Sequence, residues 1–123
     1  MELIKEFNEK LLVLVEGIAR ATNKKFIINN IGFLKKIINI DKKRPIDFFI
    51  IYILPHKEEI DTGNENFFLT YELKSTDLSS KIMKNIFEFK NIWSTLTNEN
   101  KETVVNYMKY LCSISQTYFL QNY

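Results

Sequence analysis

The 123 residues are 46% hydrophobic and 26% charged, with three Gly and two Pro; this length and apolar content predict a single helical domain, residues 1–123, and exclude a disordered chain. The scarcity of Gly and Pro excludes a turn-dense all-β domain and favours long helices. The net charge of +2 is not by itself typical of nucleic-acid binding, and a single Cys excludes an intrachain disulfide.

The chain begins with an amphipathic helix predicted over residues 2–21. Its apolar residues recur every three or four positions, which is typical of one buried helix face. These residues are Ile4, Phe7, Leu11, Leu14, Val15 and Ile18. Leu12 and Val13 widen the stripe and indicate that the helix is covered on two sides. Gly17 lowers helix propensity by about 1 kcal/mol relative to Ala, and we expect it to allow a close helix crossing.

A second helix is predicted over residues 26–40. Its apolar stripe consists of Ile27, Ile31, Leu34, Ile37 and Ile38. Lys35 and Lys36 fall opposite that stripe, which favours a helix, although the β-branched content leaves a strand open for residues 25–29. The polar run of residues 41–44 is predicted to be a connector.

The most apolar part of the chain follows Pro45, which suits the first turn of a helix because its missing N–H is no loss there. Residues 46–54 are apolar nearly all round, apart from Asp47, and predict the central helix of the domain. A buried strand is the alternative for this run. Pro55 is expected to end or kink the helix, and residues 56–60 to continue beyond it.

Residues 61–66 are the clearest predicted loop. Their acids invite a calcium-site interpretation, but Gly63 falls at the third position and Asn66 at the sixth, where a calcium-binding helix–loop–helix needs Gly. We therefore predict no metal site. Residues 67–69 then return to the core as a short turn or helix.

The C-terminal third predicts two helices whose apolar stripes face each other, or a third element, as an antiparallel pair. The first is capped by Thr76 or Asp77. Its apolar face comprises Leu78, Ile82, Ile86, Phe89, Ile92, Trp93 and Leu96. Thr97 is the predicted N-cap of the second helix, whose apolar stripe extends from Val104 to Tyr118. The predicted structural anchors of this contact are Trp93, Phe89, Tyr107 and Leu111.

Charge is segregated along the chain. Between Arg20 and Arg44 eight basic residues stand against one acid, Asp41, whereas residues 58–72 hold five acids and no base. The two segments are suited to face each other, within the fold or between copies. Seven of the cations are candidate contacts to nucleic acid or to an acidic partner, with a solvated helix face as the plainer interpretation. They are Lys24, Lys25, Lys35, Lys36, Lys42, Lys43 and Arg44.

Residue types that carry catalysis are scarce. The chain has one His, His56, and one Cys, Cys112, and it has no HExxH, CxxC or Gly-rich phosphate loop. Cys112 lies in an apolar helical stripe, which predicts a buried, unreactive thiol rather than the nucleophile of a Cys–His pair. The carboxylates of residues 58–65 lie in a solvated stretch. The sequence therefore predicts no enzyme, no catalytic residue and no cofactor.

The sequence shows no pattern that predicts a signal peptide or a membrane-spanning helix. The first ten residues have no basic start followed by an apolar run, and residues 46–54 are too few to span a bilayer. We therefore expect a soluble intracellular protein without a membrane span. Ile, Asn and Lys make up 45 of the 123 residues, which is typical of an AT-rich genome.

The segment FKNIWSTLTNENKETVVNYMKYLCSIS resembles one that recurs in small uncharacterised helical proteins of nucleocytoplasmic large DNA viruses, the giant-virus group. The matching positions are Phe89, Lys90, Trp93, Leu96, Asn100, Lys101, Glu102, Tyr107 and Leu111. The upstream pieces FNEKLLVLVEGI, YILPHKEEID and FFL are similar to the same group, so the resemblance covers most of the chain. Val104 and Val105 depart from the Ile-Trp pair that relatives often carry. Because these are packing motifs, the resemblance implies a helical viral protein and no particular activity.

Together these patterns predict an all-α fold, a single compact bundle of five or six helices. The leading functional hypothesis is a non-enzymatic viral interaction protein or virion-associated structural protein that works by helix-face contacts. One alternative is a nucleic-acid-associated accessory protein that uses the basic segment 20–44. Another is host-pathway interference by binding a partner helix in a groove. A viral or host protein partner is expected, and self-association is left open. The protein itself is expected in the cytoplasm or nucleus of the host cell or in the virion.

Overall fold

A computed structural model describes residues 2–73 and 78–123, and it confirms the predicted all-α fold. Within these residues the chain forms seven α-helices and two 3-10 turns, slightly more elements than the predicted five or six. The α-helices are α1 (Glu2–Thr22), α2 (Lys25–Ile40), α3 (Arg44–Tyr52), α4 (Lys57–Asp61), α5 (Glu65–Thr70), α6 (Leu78–Phe87) and α7 (Asn98–Asn122). The 3-10 turns are Leu54–His56 and Trp93–Thr95.

Helix α1 is the main packing surface of the fold, because both α7 and α2 pack against it. Its predicted apolar face is confirmed, with Phe7 and Leu11 fully buried. The helix ends where Asn23 adopts a positive φ of 53°, a conformation that Asn tolerates better than most residues. The predicted close crossing at Gly17 is wrong: no side chain or neighbouring backbone lies within 4 Å of the place where its Cβ would be.

Helices α2 and α3 settle the two segments for which a strand had been left open. Residues 25–29 form the first turns of α2, and residues 44–52 form α3, so both strand alternatives are wrong. Pro45 lies in the first turn of α3 as predicted. Helix α3 contacts α1, α2, α6 and α7, which agrees with its predicted central place, although Ile51 is exposed. Pro55 ends the helix in a 3-10 turn, and α4 continues beyond it.

The predicted loop 61–66 is shorter in the structure. Helix α4 extends to Asp61, and α5 begins at Glu65 because the Asn64 side chain accepts a hydrogen bond from the Asn66 N–H at 2.9 Å. Gly63 makes the reversal between them with a positive φ of 68°. The predicted caps Thr76 and Asp77 lie outside the described residues.

The predicted long helix ending near Leu96 is wrong in its second half. Helix α6 stops at Phe87, and the chain then turns through residues 88–92 into the 3-10 turn at Trp93. The later residues of the predicted face are nevertheless buried, and Ile82 is half-buried. The buried ones are Ile86, Phe89, Ile92, Trp93 and Leu96. A turn with hydrogen bonds between residues three or four apart, such as Trp93 N–H to Phe89 C=O at 2.9 Å, brings residues at that spacing together as a helix does. Thr97 is the N-cap of α7 as predicted, accepting from the Asn100 N–H at 3.1 Å.

An aromatic centre forms where this turn meets α5. The Trp93 indole stacks on Phe68, with ring centroids 4.6 Å apart and planes inclined by 11°, and Phe89 contacts Phe68 from another direction. The Trp93 N–H donates to Glu65 Oε1 at 2.9 Å, so the buried indole has the polar partner that it requires. Of the four predicted anchors, Trp93, Phe89 and Leu111 are buried and Tyr107 is half-buried.

Candidate functional site

His56 and Cys112 lie in different surroundings, the first partly exposed and the second in the core. His56 packs edge-on against the Tyr71 ring, with centroids 4.8 Å apart, and its Nδ1 lies 3.5 Å from Glu59 Oε1. Cys112 is fully buried, and burial, followed by the charge of Asp61, raises the pKa of its thiol to about 12. Because the thiolate is the nucleophile, this Cys is held in its inert form at neutral pH. Residues 2–73 and 78–123 contain no group of three or more His, Cys, Asp or Glu side chains placed to hold a metal ion.

The seven predicted cationic contacts lie on α2 and on the turns at its two ends. Lys24 stands before the helix, where its Nζ donates to the Asn91 backbone C=O at 3.3 Å. Lys25, Lys35 and Lys36 are exposed along α2. The exposed side chains of the turn into α3 are Lys42, Lys43 and Arg44, with Arg44 Nε 4.0 Å from Asp41 Oδ2. The structure therefore gathers the candidate contacts on one helix and its flanks.

Acidic residues of the segment 58–72 form ion pairs with lysines that lie outside the basic segment 20–44. Glu65 lies 3.5 Å from Lys101, and Glu72 lies 3.0 Å from Lys90. Asp61 pairs with Lys57 one turn earlier on α4. These ion pairs do not connect residues 58–72 to the basic segment, so they do not support the hypothesis that the two segments face each other within the fold.

The outward side of α2 also carries apolar side chains. Phe26 is 45% exposed, Phe33 47% and Ile40 85%. They recur every seven residues, close to two full helical turns, so they lie nearly in line along the helix. Lys25 precedes the first of them, and Lys36 places its Nζ 5.8 Å from the centroid of the Phe33 ring. We call this set, Lys25, Phe26, Phe33, Lys36 and Ile40, the outer face of α2.

Sequence reasoning missed the apolar half of this face. It identified only the lysines as candidate contacts. A signal was present, because Phe26 and Phe33 fall outside the stripe of Ile27 and Leu34 that was predicted to be buried. Helix α2 also contains no acidic residue, so its exposed side combines cationic and apolar groups without an internal counter-charge.

A groove of about 690 Å³ runs between the start of α1 and the end of α2. Ile4, Leu12 and Ile38 contribute apolar surface, and Lys42 and Lys43 belong to its lining. Asn8, also in the lining, donates from Nδ2 to the Lys42 C=O at 3.0 Å. Its Oδ1 is buried without a hydrogen-bond partner among the described residues, a condition that costs about 1–3 kcal/mol.

The helices of the described residues include none that is long and apolar enough to cross a membrane. The longest, α7, is interrupted by polar and charged residues along its whole length.

Fold and surface together define an all-α protein with a basic and apolar helix face. The chain is similar to an uncharacterized protein of Acanthamoeba polyphaga mimivirus, with 24% identity over 130 residues that cover 96% of this chain and 71% of the relative. No family model and no solved structure matches the chain. The similarity suggests a giant-virus origin, in agreement with the resemblance noted from the sequence, and it assigns no activity.

Proposed function

We propose that this chain is a non-enzymatic viral interaction protein whose α2 outer face binds an acidic amphipathic helix of a protein partner. One observation carries the proposal: a 16-residue helix without any acid exposes three large apolar side chains in line, with lysines beside them. A partner helix with apolar residues at three- and four-residue spacing and Asp or Glu on its flanks would complement both features.

In this complex the three apolar side chains would contribute most of the binding free energy, and the lysines would determine which partners bind. Full burial of a Phe or Ile side chain contributes about 1.5–3 kcal/mol relative to full exposure, and Phe26, Phe33 and Ile40 each retain surface to bury. Lys25 and Lys36 would meet carboxylates of the partner. A partner with basic flanks would place like charges together, which disfavours binding.

Single-stranded nucleic acid is the competing ligand, because Phe rings flanked by Lys can stack bases and contact phosphates. The 85% exposure of Ile40 favours a protein partner, since an aliphatic side chain offers bases no stacking surface. The two ligands also differ in response to salt. Nucleic-acid binding falls steeply as counterions are added, whereas an apolar contact with a few exposed ion pairs weakens only modestly.

A pair of synthetic helical peptides tests the proposal. Both carry the same Leu stripe; one has Glu and the other Lys on its flanks. We expect the full chain to bind the Glu peptide more tightly than the Lys peptide, and Phe33→Ala to weaken that binding. Phe119→Ala, which removes a similarly exposed ring from α7, is the matched control and should bind as the wild type does.

Three outcomes would contradict the proposal: equal affinity for both peptides, no binding of either, or no effect of Phe33→Ala. Salt-sensitive binding of a single-stranded oligonucleotide, weakened by Phe33→Ala, would favour the competing ligand. We propose separately that the protein is associated with the virion, and the test is its detection in purified virus particles.

A further inference from the structure

A second cavity lies between α1 and α7, beside Gly17. It has a volume of about 150 Å³. Leu14, Ile18, Leu96 and Val104 line it with apolar surface. The missing side chain of Gly17 leaves it open, because a Cβ built there would meet nothing within 4 Å beyond its chain neighbours and the backbone of its own helix. An engineered apolar cavity of about this volume in another protein takes up benzene, so a phenyl group sets the scale of the ligand.

Polar groups converge on the same cavity. Arg20, one turn beyond Gly17 on α1, belongs to its lining with Asn100 and Tyr107 of α7. Arg20 is exposed and forms no ion pair with any residue in the ranges 2–73 and 78–123. The guanidinium matches a carboxylate in shape and charge and can bind it with two parallel hydrogen bonds. A small apolar cavity with a few polar groups at its lining is the usual form of a small-molecule site.

We propose that this cavity binds a small carboxylate, with a phenyl-sized or branched aliphatic group beside Gly17 and the carboxylate at Arg20. The carboxylate belongs either to a free small acid or to the C-terminal residue of a peptide, since both present the same chemistry. The site shares no residue with the outer face of α2, so the proposed function and this proposal can fail independently.

The probes are 3-phenylpropanoate, its uncharged amide 3-phenylpropanamide, and N-acetylphenylalanine as a mimic of a peptide C-terminus. Backbone amide shifts in a two-dimensional NMR titration of the full chain locate the site and yield the dissociation constant. We expect shifts at Gly17, Leu96 and Val104, and weaker binding of the amide than of the acid. Tighter binding of N-acetylphenylalanine than of 3-phenylpropanoate identifies a peptide terminus as the source, and the reverse identifies a free acid.

Two variants test the two halves of the site. Gly17→Leu fills the cavity and should weaken binding by about tenfold or more, the loss expected for displacing a few buried methylene groups. Arg20→Gln should weaken binding of the acid by about fivefold, as for an exposed ion pair, and leave the amide unaffected. Gly32→Leu adds the same side chain to α2 and is the matched control, because Gly32 also has open space around it.

The proposal is overturned if shifts at saturating probe concentrations map away from the cavity, or if no shift occurs. It is also overturned if the acid and the amide bind equally. If Gly17→Leu does not fold, Gly17→Ala repeats the test with a smaller group, and the shift map of the wild-type chain decides the location by itself.

Discussion

Aromatic side chains are buried in one region of this molecule and exposed in another. At the aromatic centre, Trp93 and Phe68 are buried and stacked, and the indole N–H is bonded to Glu65. On the outer face of α2, Phe26 and Phe33 stand about half exposed beside lysines. Residue type does not separate the two regions. What separates them is whether another element covers the rings, and that decides whether an aromatic side chain stabilises the fold or remains available to a partner.

The largest expected effect comes from emptying the covered region. Phe68→Ala should lower the free energy of unfolding by about 3–5 kcal/mol, because it removes a buried ring and leaves a cavity. Trp93→Ala should lower the free energy of unfolding by a similar amount, because it empties the same aromatic centre and also removes the hydrogen bond to Glu65. Urea unfolding monitored by circular dichroism measures both. A loss below about 1 kcal/mol for either variant would mean that the aromatic centre is not part of the core.

Acid should weaken the same region through Glu65. The Trp93 hydrogen bond, followed by the charge of Lys101, lowers the pKa of Glu65 below its ordinary value of 4.5. Since the folded-state pKa is the lower one, the stabilisation is present above the unfolded value and is lost as pH falls through the folded value. We expect the urea midpoint of the wild type to fall more steeply below pH 4.5 than that of Glu65→Gln.

Glu58→Gln controls for the removal of an exposed carboxylate, because Glu58 lies on α4 at the surface. If Glu65→Gln and the wild type keep the same pH dependence, the Glu65–Trp93 contact does not contribute to stability.

A smaller change in the free energy of unfolding is expected at two helical glycines that have open space beside them. Gly17→Ala on α1 and Gly32→Ala on α2 should each raise the free energy of unfolding by about 0.5–1 kcal/mol, because Ala is the better helix former and neither methyl meets a neighbour. Thermal unfolding of both variants at two protein concentrations measures the gain. A loss at Gly32→Ala that depends on concentration would show that a second copy covers this side of α2.

The smallest effect on stability is expected on the outer face of α2. Phe33→Ala makes the same chemical change as Phe68→Ala, yet it should alter the free energy of unfolding by only about 0.5 kcal/mol, since the ring is half exposed. Its expected consequence is weaker partner binding. Urea unfolding of Phe33→Ala and Phe68→Ala under the same conditions compares the two regions directly. Equal losses in the free energy of unfolding would show that the outer face of α2 stabilises the fold as much as the aromatic centre does.

Much of the helical structure could be predicted, because helix formation depends on local spacing. The stripes of α1 and α2, the Pro45 start of α3 and the Thr97 cap of α7 are all encoded within a few residues of one another. Burial of Trp93 and Cys112 was predictable for the same reason. The turn after Phe87 was not, because the same three- and four-residue spacing suits a helix and a series of tight turns.

Long-range pairing decided that turn. Glu88 accepts a hydrogen bond from the Leu73 N–H at 2.7 Å, and Trp93 donates to Glu65 on α5. Each contact joins residues distant in sequence, so no local pattern announces it. The short helices α4 and α5 likewise depend on what they pack against, since α4 lies on α7 and isolated helices of five or six residues are not stable.

The sequence by itself determined the fold class, the identity of most core residues and the concentration of cations in residues 20–44. Only the tertiary structure decided that Phe26, Phe33 and Ile40 stay at the surface beside those cations, and that a cavity opens at Gly17. The physical reason is that apolar side chains compete for a limited buried area. Which of them stay exposed depends on how all the helices pack together. The stripe of α2 leaves Phe26 and Phe33 off its buried face, but it does not show whether another helix covers them.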